Sequence, residues 1–279
     1  MVGDTLGCLR AWECGIHECL PQRYGWQSFG CGMKFSIITC TLNSAATVGE
    51  TIASVLRQTH TDFEYIFVDG GSTDATLDII ERKCPTATVL HGVRGGISRA
   101  MNAGLDVAKG EVIAHLHSDD YYAGPDVLVA VDRALTDSGR LWACGEMDLL
   151  RDGKRTRAMR RPLPFTGRRY AMGSVTIFHP TVFITRELFR LVGGFDERLR
   201  FAMDIDLWLR IGALCTPVEI NRPLTVFRQH SGSVSTANLR AARAEEFMVR
   251  KRYARRWPLE TAIYSLRHWR RMRRLAAPA

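Results

Sequence analysis

Two adjacent carboxylates, Asp119 and Asp120, follow a short apolar run that ends at Leu116. Paired carboxylates at the end of a buried strand raise the free energy of the fold unless a positive group compensates them. A divalent cation would do so, since Mg²⁺ takes one or two protein carboxylates and completes its shell with phosphate and water. The pair therefore indicates a site for Mg²⁺ or Mn²⁺ together with a nucleoside diphosphate. The alternative is a solvated surface pair, which is common in proteins.

Polar residues also follow two earlier apolar runs. Thr41 and Asn43 close the first run, and Asp69 closes the second. If the runs are neighbouring parallel strands, their carboxyl ends lie at one edge of the sheet, which is where such sheets bind ligands. We therefore expect these residues and the Asp119–Asp120 pair to converge on one crevice. The alternative is that these polar residues are ordinary loop residues that bind no ligand.

Strand and helix patterns alternate regularly from Lys34 onward. They predict an α/β fold with a mainly parallel sheet flanked by helices, because parallel neighbours need a crossover connection. The predicted strands are residues 35–41, 63–68, 88–90 and 111–116. Apolar residues at helical spacing predict a helix after each of the first three strands. Ser72 is expected to cap the second of these helices.

Beyond Leu141 the pattern is looser and predicts a smaller mixed region. Asp152-Gly153 indicates a hairpin turn, and Thr185 is expected to cap a helix that ends at Val192. The other predicted elements are short strands at 175–178 and 181–184, a helix at 207–211 and a strand at 224–228.

The net charge of +9 is concentrated in residues 240–279, which hold twelve Lys or Arg residues against three Glu residues. The rest of the chain is neutral, so the charge predicts an anionic partner for the C-terminal tail and says little about the body. With 46% apolar and 24% charged residues, the composition excludes disordered and fibrous classes. No membrane-spanning stretch and no secretory signal is visible, so a cytoplasmic protein is the default expectation.

Four of the eight cysteines crowd, together with His17, into the first 31 residues. Their spacing matches no zinc-binding pattern, and reduced thiols are expected in a chain without an export signal. We predict that residues 1–32 form a poorly ordered leader and that the folded domain starts at Met33.

The phosphate-binding patterns GxGxxG and GxxxxGK[ST] are absent, which leaves hydride transfer and ATP hydrolysis without a motif. Seven segments resemble, in order and spacing, the family 2 inverting glycosyltransferases of the GT-A fold. The segments are residues 36–43, 51–59, 68–74, 100–104, 118–120, 194–197 and 203–210. The resemblance runs from Lys34 to Ser235, and the last two segments are similar to the family's acceptor-side motif.

The resemblance implies roles for individual residues. Asp120 is similar to the family's metal-coordinating aspartate, and Asp204 to the general base that deprotonates the acceptor hydroxyl. Capping of a helix is the alternative role for Asp204. His179 and Asp206 are placed on the acceptor side. The implied nucleotide-sugar pocket comprises Thr39, Thr41, Asn43, Asp69, Arg99, Asn102 and Asp119.

Three positions depart from the family's pattern. Gly70 stands where many relatives have a second aspartate, which leaves the identity of the nucleotide base open. Met203 replaces the glutamate that usually precedes the base. Arg99 stands where many relatives are acidic, and it either meets phosphate or lies on a solvated helix face.

The resemblance implies a metal-dependent inverting glycosyltransferase of cell-envelope polysaccharide biosynthesis. Its donor would be a nucleoside diphosphate sugar, with a UDP-sugar favoured, and its acceptor a hydroxyl of a glycan or a lipid-linked glycan. Two alternatives are a non-catalytic protein that binds nucleotide or glycan, and a nucleic-acid-binding protein that acts through its tail. Nucleic acid is the disfavoured partner, because the charge lies outside the body of the chain.

The motifs divide the chain into a nucleotide-sugar half (33–145), an acceptor half (146–236) and a basic helical tail (237–279). The tail resembles an interfacial amphipathic helix, with arginines for anionic lipid and apolar residues for the headgroup region. Such a helix would place the protein peripherally on the inner face of the cell membrane. A helix that packs back on the catalytic domain is the alternative.

Overall fold

A computed structural model describes residues 32–158, 164–229, 238–255 and 257–276. The strands are β1 (Phe35–Thr41), β2 (Phe63–Asp69), β3 (Thr88–Leu90), β4 (Val112–His115), β5 (Tyr121–Tyr122), β6 (Trp142–Arg151), β7 (Lys154–Ala158), β8 (Val182–Thr185) and β9 (Val218–Arg228). The helices are α1 (Val48–Leu56), α2 (Thr76–Lys83), α3 (Ile97–Val107), α4 (Val127–Ser138), α5 (Gly167–Ala171), α6 (Arg186–Val192), α7 (Met203–Gly212), α8 (Leu239–Ala254) and α9 (Pro258–Ala276).

The strands form one sheet in the order β3-β2-β1-β4-β8-β6-β9-β5, and β7 pairs with β6. The strands β3, β2, β1 and β4 are mutually parallel. The strand β8 runs antiparallel between β4 and β6, and β9 is parallel to β6. The predicted α/β fold with a mainly parallel sheet is therefore confirmed. The sheet also continues across the predicted boundary at Gly145, which falls inside β6.

Both faces of the sheet are covered by apolar side chains, as parallel strands require. Every residue of β1 is buried, and its side chains alternate between the two apolar cores. The helix α3 lies close against this strand. A Cβ atom at Gly104 would stand 2.5 Å from the Cγ2 atom of Ile38, so only glycine permits this approach.

The hairpin between β6 and β7 confirms the turn predicted at Asp152-Gly153. The φ angles of these two residues are 50° and 72°, which is the positive-φ pair that a two-residue hairpin of this kind uses. The predicted cap by Thr185 is also confirmed, since its hydroxyl accepts the backbone N–H of Leu188.

Four local predictions were wrong. Residues 175–178 form no strand. Ser72 does not cap α2, because its hydroxyl donates to Asp69 instead. The helix α7 begins at Met203, four residues before the predicted start. The strand β9 begins six residues early, because a register shift at Glu146 of β6 accommodates Pro223 and lets the pairing continue.

The first part of the C-terminal tail packs on the body of the chain. In α8, Val249, Arg250 and Ala254 are buried. The carboxylate of Glu246 pairs with Arg250 at 2.9 Å, and that guanidinium lies 4.6 Å from the ring centroid of Tyr170 on α5. The helix α9 then folds back on α8. Within the described chain, no helix is long and apolar enough to cross a bilayer.

The predicted leader lies outside the described residues except for Gly32, and so do Cys8, Cys14, Cys19, Cys31 and His17. The described cysteines Cys40, Cys84, Cys144 and Cys215 are buried and take part in no disulfide within the described ranges.

Candidate functional site

The loops that follow β1, β2 and β4 lie together at the carboxyl edge of the sheet, as predicted. Thr41 and Asp69 are register partners at the ends of β1 and β2. The hydroxyls of Ser44 and Ser118 are 2.8 Å apart, which ties the loop after β1 to the loop after β4. The Thr51 hydroxyl of α1 also donates to the Asp120 carbonyl at 2.8 Å. These bonds fix the position of the two carboxylates relative to the first strand.

Asp69 organises the loop after β2. Its carboxylate accepts the hydroxyls of Thr41 (3.0 Å) and Ser72 (2.5 Å). It also accepts the backbone N–H groups of Gly71 and Ser72, each at 2.8 Å. Burial opposes the charged form, but these hydrogen bonds favour it, and the pKa of Asp69 lies below its usual value. The Asp69 carboxylate thus accepts hydrogen bonds from Thr41 and from its own loop. Its contact with a base or ribose stays a prediction.

The other residues predicted at the nucleotide differ in exposure. Asn43 is exposed in a left-handed conformation (φ 49°), and its side-chain oxygen accepts the Thr73 N–H at 2.9 Å. Thr39 is fully buried, and its hydroxyl donates to the Leu116 carbonyl at 2.7 Å. The sequence placed Thr39 at the ligand, but its side chain points into the core from a central strand. Thr39 therefore has no exposed surface to offer a nucleotide.

Asp120 is fully buried and only half satisfied. Its Oδ1 atom accepts the backbone N–H of Arg228 at 3.1 Å, whereas Oδ2 has no hydrogen-bond partner among the described residues. Burial and the neighbouring Asp119 raise the pKa of Asp120 well above its usual value. A cation next to Oδ2 would satisfy this oxygen and stabilise the charged form. Asp120 is therefore suited to its predicted role as a metal ligand.

No group of three or more His, Cys, Asp or Glu side chains in the described ranges could hold a metal ion by itself. A cation at Asp120 would need further oxygen ligands from outside the protein. This is the usual situation for Mg²⁺, which binds through one or two carboxylates, substrate phosphates and water. Asp119 lies beside Asp120 and is partly exposed.

Arg228 is a functional candidate that sequence reasoning missed. From the end of β9, its Nε atom donates to the Asp119 carbonyl at 3.3 Å, and its guanidinium pairs with Glu50 and lies 5.8 Å from the Tyr121 ring centroid. It therefore brings a positive charge to the paired carboxylates. No spacing rule could have found it, because 108 residues separate it from Asp120.

The structure separates the two predicted residues of α3. Arg99 is exposed on this helix. Asn102 instead links α3 to the segment after α6: its amide donates to the Phe195 carbonyl (2.9 Å) and to Glu197 (3.1 Å), and its oxygen accepts the Phe195 N–H (2.8 Å). The side chain predicted at the nucleotide is thus engaged in joining α3 to the segment after α6.

Asp204 lies in the first turn of α7 and is partly exposed. Burial raises its pKa to about 6. The alternative role as a helix cap is not observed, because the N-cap residue is Ala202 and no cap side chain bonds there. The preceding N–H groups of Arg200, Phe201 and Ala202 are accepted by the carboxylate of Glu245 on α8, at 2.5 to 3.1 Å. The Asp204 Oδ1 atom accepts the adjacent Ile205 N–H at 2.7 Å.

Asp206 does not belong to an open acceptor site. It is 3% exposed, pairs with Arg210 at 2.8 Å and accepts the Tyr253 hydroxyl at 3.2 Å. Arg210 in turn donates to the carbonyls of Val192 and Gly194, each at 2.7 Å. The sequence analysis placed Asp206 on the acceptor side together with His179. The helix directs the side chains of Asp204 and Asp206 differently, because they stand two residues apart.

His179 lies between the two sides of the site. Its ring stacks on His117 with centroids 5.0 Å apart, and it is 5.8 Å from the Trp208 ring of α7. Both ring nitrogens are buried without a hydrogen-bond partner among the described residues. Burial and the neighbouring His117 and His115 hold its pKa well below the usual value, so the ring is neutral. A neutral imidazole can donate one hydrogen bond and accept another.

Comparison with known proteins identifies glycosyltransferases as relatives of this chain. The sequence model described as Glycosyl transferase family 2 matches residues 36–190. An uncharacterized glycosyltransferase of Mycobacterium tuberculosis, Rv1514c, is 32% identical over 197 residues, which is 69% of this chain and 74% of the relative. A PGL/p-HBAD biosynthesis glycosyltransferase of Mycobacterium bovis is 29% identical over 258 residues, covering 84% of this chain and 90% of the relative.

Solved structures share the fold. TarS of S. aureus in complex with UDP-GlcNAc aligns with a TM-score of 0.61 and 21% identity, covering 79% of this chain and 71% of that chain. The mannosyltransferase PcManGT of Pyrobaculum calidifontis, in complex with GDP-Man and Mn²⁺, has a TM-score of 0.61 and 19% identity, and covers 95% of this chain and 76% of that one. The predicted GT-A fold is therefore confirmed.

Proposed function

Because the chain belongs to glycosyl transferase family 2, we propose that it transfers a sugar from a nucleoside diphosphate sugar to a hydroxyl group, with inversion at the anomeric carbon. The observation that carries this proposal is a contrast between two carboxylates. Asp120 is buried with an unpartnered oxygen, and Asp204 is partly exposed with a pKa raised to about 6. These different environments suit Asp120 to binding a cation and Asp204 to accepting a proton.

The donor side is formed by the loops after β1, β2 and β4. We assign Asp120 as the residue that would hold Mg²⁺ or Mn²⁺, with Asp119 beside it. A bound cation would offset the charge that develops on the departing diphosphate. Arg228 adds a permanent positive charge next to this position. The fold neighbours bind UDP-GlcNAc and GDP-Man, and we favour a UDP-sugar as donor.

Asp204 would act on the acceptor. Its carboxylate takes the proton of the acceptor hydroxyl while the hydroxyl oxygen forms a bond to the anomeric carbon. The bond between that carbon and the phosphate oxygen breaks at the same time, and the nucleoside diphosphate leaves with the electron pair. Attack opposite to the leaving group inverts the anomeric centre in one displacement. The raised pKa makes Asp204 a better base than an exposed aspartate, while it stays largely ionised at neutral pH.

The acceptor we propose is a hydroxyl of a glycan or of a lipid-linked glycan. One relative takes part in PGL/p-HBAD biosynthesis by name, and another is a chondroitin synthase of Pasteurella multocida. A lipid-linked acceptor would require the enzyme to work at a membrane surface.

Release of nucleoside diphosphate from a panel of sugar nucleotides, with Mn²⁺ or Mg²⁺ present, tests the proposal. We expect turnover with at least one donor, a loss of turnover in Asp204→Asn, and unchanged turnover in Asp137→Asn, which alters an exposed carboxylate on α4. Binding of donor with no turnover under any condition would favour the non-catalytic alternative. A chain that binds only nucleic acid, with a steep salt dependence, would refute the proposed function.

A further inference from the structure

The helix α9 exposes an unusual number of large apolar side chains. Leu259, Ile263, Leu266 and Trp269 are 74%, 47%, 48% and 52% exposed. At about 100° per residue, these four lie within an arc of about 120° on one side of the helix. A contiguous apolar stripe that is exposed on the protein surface indicates an interaction site.

The opposite side of α9 is already occupied. The rings of Tyr264 and His268 stack on Phe247 of α8, with centroids 5.6 and 4.1 Å apart. Glu260 pairs with Arg168 of α5 at the beginning of the helix. These contacts fix the rotation of α9 about its axis, so the apolar stripe is directed away from the protein body.

The stripe is accompanied by positive charge. Arg267, Arg270, Arg271 and Arg273 are exposed, and the guanidinium of Arg273 lies 4.6 Å from the ring centroid of Trp269. Glu260 is the single acidic residue of α9, and it is engaged by Arg168. At about 100° per residue, Arg270 and Arg273 fall within the arc of the stripe at its C-terminal end. The exposed face therefore combines apolar side chains between Leu259 and Trp269 with arginines toward its C-terminal end.

We propose that α9 lies on an anionic membrane surface, with Leu259, Ile263, Leu266 and Trp269 inserted at the level of the headgroups. Arginines among the apolar residues would meet lipid phosphates, and long arginine side chains reach the interface when their stems are buried. A second copy of the chain suits the face less well, because a contact between two copies would bury the arginines without an acidic partner: Glu260, the single acidic residue of α9, is already engaged by Arg168. An anionic bilayer supplies the complementary charge.

The position of α9 relates this surface to the candidate site. The helix α8, on which α9 packs, provides Glu245 to the N-terminal end of α7, and α7 carries Asp204. The membrane-facing helix is thus one helix layer away from the predicted base. This arrangement suits an acceptor that is anchored in the membrane. Vesicle binding is nevertheless independent of the proposed function, because it requires neither donor nor metal.

Flotation of the full chain with lipid vesicles tests the proposal. One set of vesicles contains phosphatidylcholine alone, and the other contains phosphatidylglycerol as well. The stripe variant carries Ile263→Ser, Leu266→Ser and Trp269→Ser. The matched control carries Leu56→Ser, Val107→Ser and Val129→Ser, which remove exposed apolar residues (48%, 37% and 42%) from other helices. A third variant carries Arg270→Gln and Arg273→Gln. Circular dichroism melting verifies that each variant is folded.

We expect the full chain and the matched control to float with the anionic vesicles and to remain behind with phosphatidylcholine alone. The stripe variant and the arginine variant should each lose at least about tenfold in vesicle affinity while binding nucleoside diphosphate as the unmodified chain does. Failure of the full chain to float at low salt would overturn the proposal. So would equal flotation of the stripe variant, which would mean attachment by charge alone. A stripe-dependent dimer without flotation would assign the face to a second copy.

Discussion

The carboxylate of Glu245 on α8 accepts the backbone N–H of Ala202 at 2.8 Å, two residues before Asp204. The same carboxylate accepts the N–H groups of Arg200 and Phe201. These three residues precede α7, with Ala202 as its N-cap, so their N–H groups have no partner within the helix and need an acceptor from elsewhere. Here the acceptor comes from the C-terminal tail. The tail is therefore part of the machinery that positions the predicted base.

Replacing Glu245 should destabilise the protein and impair catalysis together. In Glu245→Ala, the three N–H groups of the segment just before α7 lose their acceptor, and we expect a loss of about 1–3 kcal/mol in the free energy of unfolding. Urea denaturation measures this loss. Glu245→Gln keeps one acceptor oxygen and should lose less. The control Glu81→Ala changes an exposed carboxylate on α2 and should stay within about 0.5 kcal/mol. Equal stability of Glu245→Ala and the control would show that these hydrogen bonds of Glu245 do not stabilise the fold.

Asp120→Asn should weaken metal-dependent binding of nucleoside diphosphate. Isothermal titration with and without Mn²⁺ measures this, and the gain in affinity that Mn²⁺ confers on the unmodified chain should be lost in the variant. Asp106→Asn, an exposed change on α3, is the control and should keep the gain. Equal affinity of the unmodified chain in EDTA would remove the metal role from Asp120.

The same substitution should stabilise the metal-free protein at neutral pH. The pKa of Asp120 is raised in the folded state, so its contribution to stability is present at low pH and is lost as the pH rises through the folded pKa. Asparagine cannot ionise and escapes this loss. Thermal melting in EDTA should therefore give a higher Tm for Asp120→Asn than for the unmodified chain at pH 7, with the difference shrinking in acid. A lower Tm in EDTA at pH 7 would indicate that Asp120 is stabilising without a cation.

Asp204→Asn should lower kcat by about 10²–10⁴ and leave donor affinity within a few-fold, since a positioned base contributes to the chemical step. In the unmodified chain, kcat should fall as the pH drops below about 6, because protonated Asp204 cannot accept the hydroxyl proton. A pH–rate profile with a saturating donor measures this limb. A variant with near-normal turnover, or an acid limb that persists in Asp204→Asn, would assign the base to another residue.

Gly194 and Asn102 should be energetically coupled. A Cβ atom at Gly194 would lie 2.4 Å from the side-chain oxygen of Asn102, so Gly194→Ala must displace the amide that joins α3 to this segment. We expect this variant to lose about 1–3 kcal/mol in stability, and to lose less in an Asn102→Ala background. A double-mutant cycle from urea denaturation measures the coupling. Gly49→Ala on α1 is the control, because its Cβ would make only ordinary contacts, at 3.4 Å or more, with the Lys83 and Ile79 side chains. If the stability losses of the two single variants simply add in the double variant, the close contact between Gly194 and Asn102 does not affect stability.

The sequence by itself determined the main part of the fold and the convergence of the loops that form the predicted donor side. Apolar periodicity located β1, β2 and β4, and the rule that parallel strands present their carboxyl ends at one edge brought Thr41, Asp69 and the Asp119–Asp120 pair together. The turn at Asp152-Gly153 was also predictable from the sequence. Such a hairpin turn requires positive φ at two consecutive residues, and an Asp-Gly pair favours that conformation. These features depend on local pattern and on simple topology.

Only the tertiary structure decided which polar side chains are available to a ligand. Thr39 and Asp206 have the residue types of a site, yet burial and long-range partners assign them to the core. Arg228 and Glu245 act on loops that lie 108 and 43 residues away in the chain, and no local pattern predicts such pairings. The physical reason is that hydrogen-bond satisfaction and burial depend on which elements pack together, whereas periodicity reports only the face that each element buries.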